Sequence, residues 1–221
     1  MKFLGSNVNV ANRAVWAAVS AVDPGPPPGF IFASDDFTDP ANAINTDRFI
    51  EDATDGSLTV DSGTLTIAIP STGSVKFEAI TTKDLNYTGG DFSLVVNYEN
   101  AIFPAAGQST FSTSVLIGST TYYLQRGYPP HNMSWGVPET ASTSVGATVD
   151  LSGAFEFTLT GTTLVVSISG TTYKTWTGVT GTLHNYRIAT AANATGSQFS
   201  LDVTSTTLVD GDSNPLLIAL P

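Results

Sequence analysis

Apolar and polar residues take turns along most of this chain. In "SLTVDSGTLTIAI" (57–69) they alternate on both sides of Asp61-Ser62-Gly63, the period-2 pattern of two strands that each bury one face. The intervening Gly supplies the positive φ that a tight hairpin turn requires. "FEFTLTGTTLVVSISGTTYKTW" (155–176) repeats the arrangement, with Gly161 and Gly170 separating three runs. Further runs stand at "VKFEAI" (75–80), "FSLVVNYE" (92–99), "FSTSVLI" (111–117), "TTYYLQR" (120–126), "NYRIAT" (185–190) and "QFSLDVTS" (198–205). Short strands at regular spacing with turn signals between them predict an antiparallel sandwich or barrel. No amphipathic helix stands out, and no repeat of fixed period, which argues against a solenoid or propeller.

The start of the chain breaks that pattern. "MKFLGSNVNVANRAVWAAVS" opens with a charge and an apolar pair, as an export signal does, but such a signal needs an unbroken apolar stretch of roughly 7–15 residues. Gly5, Ser6, Asn7, Asn9, Asn12 and Arg13 interrupt it, so the segment is expected to be retained. Residues 23–30, "DPGPPPGF", carry four prolines. Such a run continues neither a helix nor a central strand and reads as a stiff spacer. The expected organisation is an arm at 1–22, a linker at 23–30 and a β domain at 31–221. In the arm, Val8, Val10, Ala14, Val15 and Trp16 form an apolar set too small to bury itself, since an isolated hairpin is marginal in water. It is expected to dock on another surface.

Composition narrows the partners. Charged residues are only 12% of the chain, against roughly 25% in ordinary globular proteins. Thr, Ser, Asn and Gly fill the surface instead, and β-branched Thr suits a pleat. With 19 acidic against 8 basic residues the formal net charge is −11, a field that repels phosphates and anionic lipid and excludes nucleic-acid binding. No stretch reaches the roughly 18–20 apolar residues of a membrane span, so no membrane insertion is expected. The chain has no Cys, which excludes a disulfide framework, Cys-ligated zinc and a Cys nucleophile.

Two stretches carry a family resemblance. "SDDFTDPANAINTDRF" followed by "GSLTVDSGTLTIAI" resembles the opening of concanavalin A-like lectin and glucanase domains. "LTGTTLVVSISGTTY" and "FSLDVTS" resemble their central hairpin pair and the closing strand that returns beside the first. In order, these cover residues 34–209 and imply an antiparallel jelly-roll β-sandwich, here behind an extended N-terminal arm. The arm, "FLGSNVNVANRAVW", is similar to the N-terminal segment of minor tail proteins of tailed phages, likewise followed by a Pro-rich linker. Sandwiches of this kind often hold one structural ion between opening loop and closing strand. The resemblance therefore points to Asp36 and Asp202 as ligands of a structural Ca²⁺; the alternative is that these Asp residues form turns.

Hydrolysis on such a scaffold uses two carboxylates roughly 5–5.5 Å apart in a retaining enzyme. Glucanases of this fold draw them from E-x-D-x-E or E-x-D-x-x-E on one strand, and no such string occurs. Glu156, between Phe155 and Phe157, is expected to face outward by strand alternation. A Ser-His-Asp site needs a His as base; His131 and His184 are the two present, and no G-x-S-x-G elbow accompanies them. "DGDSN" (210–214) offers Asp210 and Asp212 without the rest of an EF-hand loop.

One loop-like stretch, "QRGYPPHNMSWG" (125–136), gathers Arg126, Tyr128, His131, Asn132 and Trp135 around two prolines. Aromatics that stack on sugar rings beside groups that bond hydroxyls make a candidate glycan site; the alternative is that the same aromatics pack on the sandwich or a neighbouring subunit. Together these features predict a non-enzymatic structural protein of a phage virion, a minor tail or baseplate component. It would dock on other virion proteins through Val8, Val10, Val15 and Trp16, form a homo-oligomer, and display a sandwich toward host-surface glycans. A capsid decoration protein, a secreted carbohydrate-binding module and a divergent glycan hydrolase are the alternatives.

Overall fold

The computed structural model describes residues 25–40, 42–53, 56–70, 76–102, 106–128, 132–137, 139–144, 152–195 and 198–220, with 106–108, 128, 132–137, 139–144 and 193–195 described by their backbone alone. Sixteen strands run in chain order: β1 (Phe30–Phe32), β2 (Phe49–Ala53), β3 (Ser57–Asp61), β4 (Thr64–Ile69), β5 (Lys76–Thr82), β6 (Phe92–Ile102), β7 (Ala106–Ile117), β8 (Thr120–Tyr128), β9 (Asn132–Val137), β10 (Glu139–Ser144), β11 (Gly153–Thr160), β12 (Thr163–Ile168), β13 (Thr171–Thr177), β14 (Leu183–Thr195), β15 (Phe199–Asp210) and β16 (Leu217–Ala219). There is no helix among the described residues.

The strands form two seven-stranded antiparallel sheets and one small ribbon. A front sheet runs β10-β9-β8-β7-β14-β5-β2, a back sheet runs β13-β12-β11-β6-β15-β4-β3, and β1 pairs with β16. Period-2 alternation turns one face of each sheet inward. From the back sheet come Leu65, Ile67 and Ile69 of β4, Leu94 and Val96 of β6, and Phe155 and Phe157 of β11; from the front come Val115 of β7, Leu124 of β8 and Ile188 of β14. Between the sheets Tyr98, Phe111 and Phe155 meet with ring centroids 4.7 to 5.5 Å apart, the tilted and edge-on geometry that aromatic quadrupoles prefer. Trp176 of β13 packs edge-on against Tyr122 of β8 at 5.3 Å and closes one side of the core.

Turn chemistry follows the sequence. Ser62 and Gly63 both take positive φ (51° and 80°) between β3 and β4, and Ser169 and Gly170 (48° and 81°) do the same between β12 and β13, the paired left-handed conformation that matches strand twist in two-residue hairpins. The end of the linker is not extended. Phe30 N–H donates to Pro27 O at 3.0 Å, and Leu220 N–H to Gly29 O at 2.8 Å, tying the start of the domain to its C-terminal ribbon.

A buried polar network fixes the opening segment to the closing strand. Asp35 and Thr206 form a β-bridge. Asp35 also pairs with the Arg48 guanidinium, whose Nε–H donates to Phe32 O at 2.7 Å. The Tyr186 hydroxyl reaches Thr206 Oγ1 at 2.7 Å and Ala33 O at 3.0 Å. Burial pushes the Tyr186 phenol well above the ordinary tyrosine range. Burial also raises Asp35 above its ordinary 3.8, outweighing the opposing pull of Arg48.

Candidate functional site

The outer face of the front sheet collects polar and aromatic side chains from neighbouring strands. Its central strand is β7, and the register Arg187↔Ser114↔Tyr123 and Ala189↔Ser112↔Gln125 aligns β14, β7 and β8 in rows. On the other side of β14, Thr81, Ala79 and Phe77 of β5 oppose Arg187, Ala189 and Ala191, and Asp52 of the edge strand β2 opposes Ala79. Alternation sends all of these outward. Consistently, Ala79 and Ala189 are 0% and 7% exposed, yet neither belongs to the hydrophobic core.

Arg187 reaches from β14 toward β5 and β2 on this face. Its guanidinium lies 4.6 Å from the centroid of the Phe77 ring, and its Nη2 is 3.4 Å from Asp52 Oδ2. Phe77 lies two residues along β5 from Ala79, and Asp52 lies across from it. To reach both, the arginine must cross Ala79. The face thus offers hydroxyls (Ser112, Ser114, Tyr123), an amide (Gln125), an aromatic surface (Phe77) and one ion pair over a floor of small residues. Asp52 is the carboxylate that the described strand register brings to it. The alternate outer positions of β7 hold Thr110, Ser112, Ser114 and Leu116, with no carboxylate among them.

Within the stretch 125–136, residues 125–128 and 132–136 lie in two paired antiparallel strands, which corrects their reading as loop. β8 continues to Tyr128 and β9 begins at Asn132, with Gly127 opposite Asn132 and Leu124 opposite Trp135. Arg126, expected at the glycan loop, is 3% exposed and stands opposite Phe111 of β7, so it faces the interior and is withdrawn from surface contact. Tyr128, Asn132 and Trp135 are placed by their backbone in these paired strands; His131 lies outside the described residues.

Asp36 and Asp202 are engaged separately. Asp36 Oδ1 accepts from the Thr38 hydroxyl (2.6 Å) and N–H (3.2 Å), closing its own turn. Asp202 accepts from Thr66 Oγ1 (2.7 Å) and Asn100 Nδ2 (3.0 Å) on the outer face of the back sheet. Asp35, not Asp36, joins the opening segment to β15. Among the described residues no group of three or more His, Asp and Glu side chains could share a metal ion. Asp210 caps the 210–214 turn, accepting from Asn214 and from the Asp212 N–H, and these bonds, Asn214's first, lower its pKa. Glu156 faces outward as expected and accepts from Ser167 Oγ and Gly170 N–H. His184 Nδ1 lies 3.1 Å from Asp84 Oδ1 on the surface. A shallow depression of ≈ 360 Å³ at one end of the sandwich, lined by Thr88, Leu159, Thr180 and Thr182 among others, is built largely from loop backbone and carries no charged side chain.

Sequence reasoning missed Arg187, Phe77, Tyr123 and Gln125, and set Asp52 aside with the other acidic candidates because no second carboxylate follows it at i+2 or i+4. Alternation within "FSTSVLI" and "TTYYLQR" already assigns Ser112, Ser114, Tyr123 and Gln125 to one face and Arg126 to the other. Their union with Arg187 and Asp52 depends on β14 lying between β7 and β5, which no local pattern states.

No family model matches the sequence, and no curated protein matches it. Solved structures do. The chain is similar to the catalytic domain of an endo-1,3-β-glucanase (laminarinase) from Thermotoga petrophila, with TM-score 0.56 and 10% identity over 80% of this chain and 96% of that one. The κ-carrageenase of Pseudoalteromonas carrageenovora gives 0.57 and 10% over 89% and 99%, and the Emp47p carbohydrate recognition domain 0.59 and 10% over 85% and 99%. Two of these three are hydrolases, and they correct the expectation of a non-enzymatic chain: the lack of an E-x-D-x-E string does not remove glycan cleavage from what this architecture supports. None is described as a virion component. Val8, Val10, Val15 and Trp16 lie outside the described residues, so the virion reading rests on the sequence of the arm alone. The fold itself is the all-β, antiparallel jelly-roll sandwich of concanavalin A-like glycanases and lectins.

Proposed function

We propose that the chain engages a polysaccharide on the outer face of its front sheet, as a glycan-binding or glycan-active jelly-roll domain. One observation carries this: side chains suited to sugar recognition converge there from five strands, β2, β5, β14, β7 and β8, over the small residues Ala79 and Ala189. Hydroxyls and amides exchange hydrogen bonds with sugar hydroxyls, and an aromatic face takes the apolar side of a pyranose ring. Placement on paired strands of a packed sandwich fixes these groups before the ligand arrives, which lowers the ordering cost of binding. Where cleavage occurs on this face, Asp52 is the carboxylate to replace first.

The test combines calorimetric titration with a panel of soluble polysaccharides and an assay for new reducing ends. Tyr123→Ala is expected to weaken binding roughly tenfold, as loss of an aromatic contact worth about 1.4 kcal/mol would. A chain that neither binds nor cleaves any member of the panel overturns the reading.

A further inference from the structure

We infer that Arg187, Asp52 and Phe77 form a charge-compensated clamp selecting neutral polysaccharide over sulfated or uronate-bearing chains, a step that rests on the glycan-engaging reading above. The guanidinium is held on more than one side. Phe77 stacks at 4.6 Å, Asp52 bonds at 3.4 Å, and the small residues Ala79 and Ala189 stand opposite each other in the neighbouring row. A planar guanidinium has five N–H donors in a fixed fork. The Arg187 and Asp52 side chains are 36% and 51% exposed, so both ends of the pair meet solvent. A neutral diol can accept from Arg187 and donate to Asp52 in one step.

An anionic substituent meets the opposite situation. Asp52 already compensates the cation and would repel a second carboxylate or a sulfate. The neighbouring groups Ser112, Ser114, Tyr123 and Gln125 offer hydroxyls and an amide, with no Lys or Arg among them. The whole chain has a formal charge of −11, which slows the approach of a polyanion. A compensated pair therefore gives donor and acceptor groups without a net attraction for anions, and specificity arises as much from what it repels.

The experiment titrates neutral glucans, galactans and mannans, each beside its carboxymethylated or sulfated form, into the full chain. Wild type is expected to favour the neutral member of a bound pair by at least about tenfold, with little change in affinity between roughly 0.05 and 0.5 M salt. Asp52→Asn is expected to weaken the neutral ligand about tenfold and to shrink or reverse the preference, because Arg187 loses its counter-charge. Arg187→Lys keeps the charge on β14 but loses the stacked fork, and is expected to weaken the neutral ligand about tenfold without reversing the preference. Preference of the wild type for a charged polymer overturns the inference, as does an unchanged ratio in Asp52→Asn or unchanged affinity in Arg187→Lys, either of which reduces the pair to a tie on β2. Failure of the wild type to bind any polymer overturns the glycan reading itself, a result distinct from those three.

Discussion

Adjacent aspartates in "SDDF" have different fates. Asp35 is drawn into the interior by its bridge to Thr206, and Asp36 stays at the surface capping Thr38. Desolvation of Asp35 is met by Arg48 and by Phe37 N–H, which donates to Oδ1 at 2.8 Å. Removing one partner of such a pair leaves an uncompensated buried charge, so Arg48→Met is expected to cost about 3–5 kcal/mol in urea unfolding. The pH dependence has a definite sign. The folded pKa of Asp35 is raised above the ordinary 3.8, so its contribution to stability is fully present below about 3.8 and is lost as pH rises through the folded value. Wild type, but not Asp35→Asn, is expected to show that component in unfolding measured across this range. Asp210, whose pKa is lowered, contributes with the opposite sign, present above 3.8 and lost as pH falls. A component of Asp35 that instead grows with pH would mean that the Arg48 pair outweighs burial.

At the level of elements, hairpins were the most legible part of the chain because their turns carry local chemistry. The β3–β4 turn needs positive φ at Ser62 and Gly63. A Cβ on Gly63 would also stand 3.2 Å from Thr38 Cγ2. Gly63→Ala is therefore expected to lower stability by about 1 kcal/mol through strain at positive φ, seen as a reduced denaturant midpoint at unchanged m-value. Elements without such punctuation were harder to read. Pro129-Pro130 and the aromatics around them suggested a loop, whereas β8 runs on to Tyr128 and pairs with β9. In β15 the register shifts between Val203 and Ser205, and such an irregularity changes which residues face inward. Val203 and then Thr206 and Leu208 are buried, so the hydroxyl that Tyr186 needs arrives inside. Simple alternation from Leu201 and Val203 would have put Ser205 there. Asp36 and Asp202 have separate partners: Asp36 accepts from Thr38, and Asp202, which lies between two register shifts of β15, accepts from Thr66 and Asn100.

For the whole molecule, two seven-stranded sheets with inward aromatic and aliphatic rows account for the low charge content: the outer faces are finished with Thr and Ser, which pack on a pleat while remaining polar. Composition and alternation thus led to the architecture. The proposed ligand face was not legible because β14, which begins 66 residues after β7 ends, inserts beside it. The central claim is that the outer face of the front sheet is where a polysaccharide sits. It is tested most directly by titrating the isotope-labelled chain with a soluble neutral oligosaccharide and mapping amide and side-chain NMR shifts. The account expects perturbations on Ser112, Ser114, Tyr123, Gln125 and Arg187, with the outer back-sheet residues Glu156 and Asp202 unmoved. Shifts confined to the back sheet, or to the depression beside Thr88 and Thr182, would contradict it.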